Sequence, residues 1–192
     1  MDHISWATCD LSWTSVERDW YGQQVAVPAD FALAMDPAKL WFAAKREQPP
    51  SVLPSATPHE FTPELWRCDV AELFIRDVSS DSYLELNLAP NGAWWSAEFD
   101  RARQRRSADE VPIKGVETYA EVSSSGGWQV AASIPLAYLE SAFGFGAHSA
   151  LNVAFIVDSP HSSFMSKAKL PGSQPDFHQP DYFEQIELRG KT

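Results

Sequence analysis

The sequence predicts an all-β protein: a two-sheet antiparallel β-sandwich of jelly-roll or immunoglobulin-like type, with long loops and one short helix. Three observations lead there. Three consecutive stretches between Leu65 and Phe99 change character residue by residue, the two-residue period of a strand. Fourteen Pro stand against nine Gly, and few segments suit a helix, which fits many short strands joined by rigid connections. The chain's 192 residues suffice to bury the core of one large sandwich, and residues 1–192 read as a single domain.

Residues 1–24 carry Trp6, Trp13 and Trp20 at even intervals, but the intervening Thr8, Asp10, Ser12, Thr14 and Ser15 favour strand and turn over helix. The segment reads as extended, with an edge strand and Trp side chains covering the core. Residues 31–35 and 40–45 form a hairpin broken at Asp36-Pro37, a favoured turn dipeptide. Residues 47–63 hold Pro49, Pro50, Pro54, Pro58 and Pro63, too many for a sheet interior, so they form a long surface loop leading to Trp66. Strands follow at 69–75, 83–88 and 93–99, then a polar loop over 101–112. A second hairpin joins 117–123 to 128–134 across Ser- and Gly-rich residues. Residues 135–143 are the helix, with Pro135 suited to its first turn and Gly144 or Gly146 to its end. Residues 151–157 are apolar on both faces apart from Asn152 and make a central strand. Residues 158–182 read as irregular, and 183–188 close the sheet.

The three consecutive strands carry the chemistry. Ala71, Leu73 and Ile75 oppose Val70, Glu72 and Phe74; Leu84, Leu86 and Leu88 oppose Tyr83, Glu85 and Asn87. In the third, Trp95, Ala97 and Phe99 read as the apolar side and Trp94, Ser96 and Glu98 as the other. One face of the sheet is then plain core, and the other mixes carboxylates, an amide and rings. That mixture suits a sugar, whose C–H faces pack on rings while its hydroxyls bond carboxylate and amide oxygens. Glu72, between Val70 and Phe74, is not expected in free solvent. A buried, unpaired carboxylate is costly, so Glu72 takes a donor partner or borders a wet, ligand-accessible groove.

Composition narrows the partners. Fifteen basic against 26 acidic side chains give a net charge of −11, which repels phosphate backbones and anionic headgroups, so neither nucleic acid nor membrane is expected. Arg101, Arg103, Arg105 and Arg106 read as a solvated loop balancing nearby acids. Cys9 and Cys68 are too few and too far apart for a metal knuckle, and no spacing indicates a disulfide. Residues 1–16 lack a cationic start followed by an apolar run, and no stretch approaches membrane-spanning length. The chain as written is expected in the cytoplasm, or secreted or periplasmic if a leader has been removed. No phosphate loop, nucleophile elbow or dinucleotide fingerprint occurs.

Two segments carry a resemblance. The run from Leu65 through Trp66, Asp69, Glu72 and Phe74, continuing through Tyr83, Glu85, Asn87, Pro90, Gly92 and Trp94, resembles the central strands of family 9 carbohydrate-binding modules and the wider DOMON-like superfamily. Residues 175–183, with Phe177, His178 and Pro180, resemble the closing segment of the same family. The resemblance implies a sandwich whose ligand lies between two aromatic side chains. Trp66 matches the first. Phe177 falls at the second, where characterised sugar binders have Trp, and Glu72 matches an acid that bonds sugar hydroxyls. Near Glu85 those binders can carry an Arg, and this chain has an acid.

The leading expectation is a non-catalytic domain binding a carbohydrate or sugar-like small molecule in a groove lined by Trp66, Glu72, Glu85, Asn87, Trp94, Phe177 and His178. His178 either touches ligand or ties the closing loop to Asp69, Glu72 or Glu85. No cofactor is predicted. Two alternatives stand beside this: a haem or redox-cofactor domain drawing axial ligands from Met35, Met165 and His178, and a glycoside-processing enzyme using Glu72 and Glu85. Calcium on loop carboxylates such as Asp77, Asp81 or Asp158 is left open, as is the oligomeric state.

Overall fold

Two antiparallel sheets organise the described residues, 11–185, of the computed structural model. In chain order the strands are β1 (Thr14–Arg18), β2 (Gln24–Met35), β3 (Lys39–Arg46), β4 (Val70–Arg76), β5 (Tyr83–Leu88) and β6 (Trp94–Arg101). They continue as β7 (Gln104–Arg105), β8 (Glu117–Val122), β9 (Trp128–Pro135), β10 (Ala150–Val157), β11 (Ser163–Ser166) and β12 (Glu184–Gln185), with helix α1 at Leu136–Phe143. The five-stranded sheet runs β1-β2-β3-β9-β8. The seven-stranded sheet runs β11-β10-β4-β5-β6-β7, with β12 also paired to β10.

Local chemistry explains the elements. The first hairpin turns where Asp36 Oδ1 accepts the backbone N–H groups of Ala38 and Lys39 at 2.7 and 2.8 Å. β2 begins earlier than its sequence suggests, at Gln24, and Pro28 falls where the β1–β2 register slips, a position that requires no ladder donor. α1 follows Pro135 and stops at Gly144, whose φ of 57° is the left-handed cap that glycine adopts cheaply. β1 is an edge strand as expected, and β10 is central. Trp6 and Cys9 lie outside the described residues, as do 186–188 of the expected closing strand.

Two stretches read as irregular contain pairing. Ser163–Ser166 forms β11 on β10, held by Asn152, whose Oδ1 accepts from Ser166 Oγ at 3.1 Å and from the Ala168 N–H at 2.9 Å. Within the polar loop, Gln104–Arg105 doubles back on β6.

The core between the sheets takes Phe31, Phe42 and Ile134 from one sheet and Leu73, Leu86 and Phe155 from the other. A second apolar cluster lies on the outer face of the seven-stranded sheet, where Val70, Phe74, Tyr83 and Phe99 meet Phe177 and Phe183 of the closing segment. The Pro-rich loop adds Leu53 and Ala56 to that cluster. β4 and β5 are therefore buried on both faces, so their acids lie under a covering layer and not on an open sheet.

The third strand faces the other way from its sequence reading. β5 pairs with β6 as Tyr83↔Phe99, Glu85↔Ala97 and Asn87↔Trp95, which puts Trp95, Ala97 and Phe99 on the carboxylate face. Trp94 instead enters the core between the sheets, edge-on to Phe61 with ring centroids 5.1 Å apart. Five residues separate Leu88 from Trp94, an odd number, so residues of like parity pair and share a face.

Candidate binding cleft

The outer face of the seven-stranded sheet opens into a cleft of about 370 Å³, within the range of small-molecule sites. Its floor is Glu72 on β4 and Glu85 on β5. Glu72 stands directly opposite Asn87 in the ladder, so the two acids are diagonal neighbours across adjacent strands. Trp95 and Phe99 extend the floor along β6, Ile156 and Phe164 bound it on the β10–β11 side, and Asp176, Phe177 and His178 overhang it.

Trp66 reaches the rim because of a single 3₁₀ turn at Leu65–Arg67. Leu65 is buried in the outer cluster, and the turn directs the next side chain away, leaving Trp66 52% exposed at the mouth. Asp69 anchors the chain just before β4. Its two carboxylate oxygens accept the backbone N–H groups of Ser51 and Ser159 at 3.2 and 3.0 Å, tying both long loops to the sheet.

The closing segment is held as firmly. Asp176 Oδ1 accepts the His178 N–H at 3.0 Å, Gln179 Nε2 donates to the carbonyls of Pro171 and Asp176, and Arg76 donates to the Pro180 carbonyl at 3.0 Å. Phe177 leans on Trp20 and Phe164. The Tyr83 hydroxyl accepts the Arg103 backbone N–H at 3.1 Å and lies 2.8 Å from His178 Nδ1. Assigning the phenolic proton to Nδ1 satisfies both groups and leaves Nε2–H facing Glu85 Oε2 at 3.8 Å. His178 thus ties the loop through Tyr83, not Asp69, and it also lines the cleft.

Burial shapes the electrostatics. Glu72 is 3% exposed, and no hydrogen bond or ion pair reaches it among the described residues. Burial first, then the Glu85 carboxyl, holds its pKa well above the ordinary carboxylate range. Burial pushes Glu85 up to about 7, against the lowering pull of the Asn87 amide, Arg105 and Arg103. Burial also drops His178 to about 4, helped by Arg103 and Arg105, so its imidazole is neutral at pH 7. Asn87 lies beneath the floor, donating from Nδ2 to Glu85 Oε1 at 3.0 Å. Its Oδ1 and the paired Trp95 Nε1 have no hydrogen-bond partner among the described residues.

Of the residues expected from sequence, Trp66, Glu72, Glu85, Phe177 and His178 converge on the cleft. Asn87 supports it from below, and Trp94 lies on the opposite side of the sheet. The sequence reading passed over Trp95, Phe99, Arg103, Arg105 and Asp176. The odd length of the β5–β6 turn was the available signal for the first two. The arginine loop does balance acids: Arg103 pairs with Asp176 at 2.8 Å, Arg105 with Glu110 at 3.0 Å, and Arg106 with Glu98 and Asp100. The tight return of β7 nevertheless brings Arg103 and Arg105 over the cleft, with the Arg105 guanidinium 4.8 Å above the Trp95 ring.

The three candidate haem ligands do not share a site. Met35 is exposed at the end of β2, Met165 is buried between the sheets, and His178 is on the outer face. Among the described residues no three His, Cys, Asp or Glu side chains converge as a metal ion requires, and Asp158 is engaged by Arg46 and Gln48. No helix among them is long and apolar enough to cross a membrane.

No protein-family model matches the sequence, and no curated protein matches it. Solved structures do share its fold. A provisionally assigned carbohydrate-binding protein from Bacteroides uniformis superposes with a TM-score of 0.72 at 15% identity, over 91% of this chain and 84% of that one. A family 9 carbohydrate-binding module from Caldicellulosiruptor kristjanssonii in complex with cellotriose gives 0.65 at 14% identity, over 99% and 88%. Such a module from the same organism in complex with glucose gives 0.63 at 17%, over 100% and 90%. At these identities the likeness is one of fold.

Proposed function

We propose that this sandwich, whose fold is that of family 9 carbohydrate-binding modules, is itself a non-catalytic carbohydrate-binding domain, and that the cleft between Trp66 and Phe177 is its site. One observation carries the reading. A buried carboxyl with no hydrogen-bond or ion-pair partner among the described residues, Glu72, borders a cleft whose rim exposes a tryptophan, and a sugar satisfies both at once. Sugar hydroxyls donate to or accept from Glu72 and Glu85, whichever protonation state each holds, while the C–H faces of the ring pack on Trp66 and Phe177. Each ring contact contributes on the order of 1 kcal/mol beyond area burial, and a few hydrogen bonds add orientation, which corresponds to micromolar to millimolar affinity. The two modules of this fold in complex with cellotriose and glucose support the reading.

Calorimetric titration of glucose, cellobiose and other mono- and disaccharides into the wild type and Trp66→Ala tests the reading. At least one sugar is expected to give saturable heat that falls about tenfold or more in affinity in the variant, the loss of roughly one stacked ring. Absence of heat and of tryptophan quenching with every sugar would sink it.

A further inference from the structure

We infer that the sugar this cleft prefers carries a protonated amine, as in a hexosamine with an unacylated nitrogen, held between Glu72 and Glu85. This rests on the carbohydrate reading above and narrows it.

Unmatched charge points there. Glu72 and Glu85 are 3% and 5% exposed on neighbouring strands, and together they receive one hydrogen bond from the described residues, Asn87 Nδ2–H to Glu85 Oε1. Neither forms an ion pair with a described Lys or Arg. The cations that face the cleft are paired elsewhere, Arg103 on Asp176 and Arg105 on Glu110 and the Trp95 face, and act on Glu85 through their field and not through an ion pair. His178 from the closing segment is neutral, bonded to Tyr83 through Nδ1, with its Nε2 facing Glu85 Oε2 at 3.8 Å. On β10, Ala154 stands opposite Glu72 and Ile156 borders the cleft, while Asn152, the polar residue of that face, stands opposite Phe74 and is bonded to Ser166 and the Ala168 N–H. With the paired charges set aside, two carboxyls remain. A hydroxyl gives such a pair hydrogen bonds but no compensating charge, whereas an ammonium brings three donors and a positive charge to a site that desolvation makes costly to leave unpaired.

The walls agree with the floor. Trp66, Trp95 and Phe177 present ring surface, whose negative faces attract cations. Trp95 already accepts one, the Arg105 guanidinium. The chain's net charge of −11 draws cationic ligands towards it. Burial raises both acids above the ordinary carboxylate range, Glu85 to about 7. An arriving ammonium therefore favours the ionised form of Glu85, and the proton that this carboxyl loses leaves to the buffer.

The test titrates glucosamine, glucose and N-acetylglucosamine into the whole protein at about pH 6.5, near the midpoint given for Glu85, in two buffers of different ionisation enthalpy. Glucosamine is expected to bind about tenfold or more tighter than the other two, the gain from a charge-assisted contact. Its heat should differ between buffers by the amount that marks proton release, and that of glucose should not. Glu72→Gln and Glu85→Gln, with thermal melts confirming folding, should each bring glucosamine to within about twofold of glucose. Glucose binding as tightly as glucosamine overturns the amine preference and leaves the carbohydrate reading standing. A preference that survives in both variants overturns the assignment to these acids. Failure of all three sugars to bind the wild type overturns both.

Discussion

Glu72→Gln should stabilise the fold. The wild-type carboxyl is buried without a partner, and its pKa is held well above its ordinary value of 4.5. An amide of nearly the same shape removes the charge that must form on ionisation, a gain on the order of 1–3 kcal/mol at pH 8 that shrinks as pH falls towards 5 and the acid protonates. Denaturant unfolding at the two pH values checks it; equal stability of wild type and variant at pH 8 would contradict the burial argument. Asp69→Ala should go the other way. It frees the backbone N–H groups of Ser51 and Ser159, a loss of about 1–3 kcal/mol per unsatisfied group, and faster proteolysis within residues 47–63 should accompany the lower melting temperature. At this scale Glu72 was legible in the sequence, because an acid between Val70 and Phe74 is out of place unless something faces it, and Trp66 was legible through its match to the aromatic position of the family it resembles. Arg103 and Arg105 were not, because in sequence they look like a loop neutralising acids, and only the tight return of β7 puts them over the cleft.

Elements decide which tryptophan does what. Trp94→Ala opens a cavity between the sheets and should cost about 3–5 kcal/mol, with sugar affinity in the folded protein nearly unchanged. Trp95 is as deeply buried in the outer cluster, so Trp95→Ala should cost the fold a similar amount and, because the same ring lines the cleft, weaken sugar binding as well. Calorimetry combined with denaturant unfolding separates the two, and the reverse pattern would mean that the β5–β6 register is wrong. The turn that sets that register depends on Gly92, whose φ is +84° and whose missing Cβ would lie 2.7 Å from the His59 ring. Gly92→Ala should therefore cost about 1–2 kcal/mol from the backbone alone, more with the clash, read as a lower melting temperature. The sequence marked this strand correctly as a strand. It misled on the face because Trp94 and Trp95 are adjacent and either parity buries a ring. The sheet is also covered on both sides, so apolar alternation does not identify which side is inside.

For the whole molecule, pH is the coarse probe of the cleft. Neutral burial of His178, with its folded pKa near 4, means that the unfolded chain holds the extra proton between there and its ordinary 6.5, so this residue makes stability rise with pH over that window. Glu85 and Glu72 act oppositely. Their folded pKa values are raised above 4.5, Glu85 to about 7, so the folded protein holds the extra protons and stability falls as pH climbs through that interval. The two trends oppose each other up to 6.5, and above it only the carboxyls act, joined by self-repulsion from the net charge of −11. The melting temperature is expected to be lower at pH 8.5 than at pH 6. A curve that is flat or rising over that interval would show that the acids are not buried as described, and Glu85→Gln, which removes the carboxyl that titrates at about 7, should flatten it.

Apart from Trp66 and Phe177, which the resemblance to family 9 carbohydrate-binding modules pointed to, the chain itself determined its class: strands from two-residue alternation, the first hairpin from Asp36-Pro37, the helix from Pro135 with Gly144 or Gly146 at its end, and the acids Glu72 and Glu85. These are local signals, carried by backbone preference and by side chains that are costly to misplace. The tertiary structure alone decided which face of β6 joins the acids, that His178 answers to Tyr83, and that the carboxyls lie at the bottom of a covered cleft and not on an open sheet. Those depend on ladder register and on which loop folds over which face. Register and coverage are set by contacts between residues far apart in the chain, which alternation along one strand does not encode.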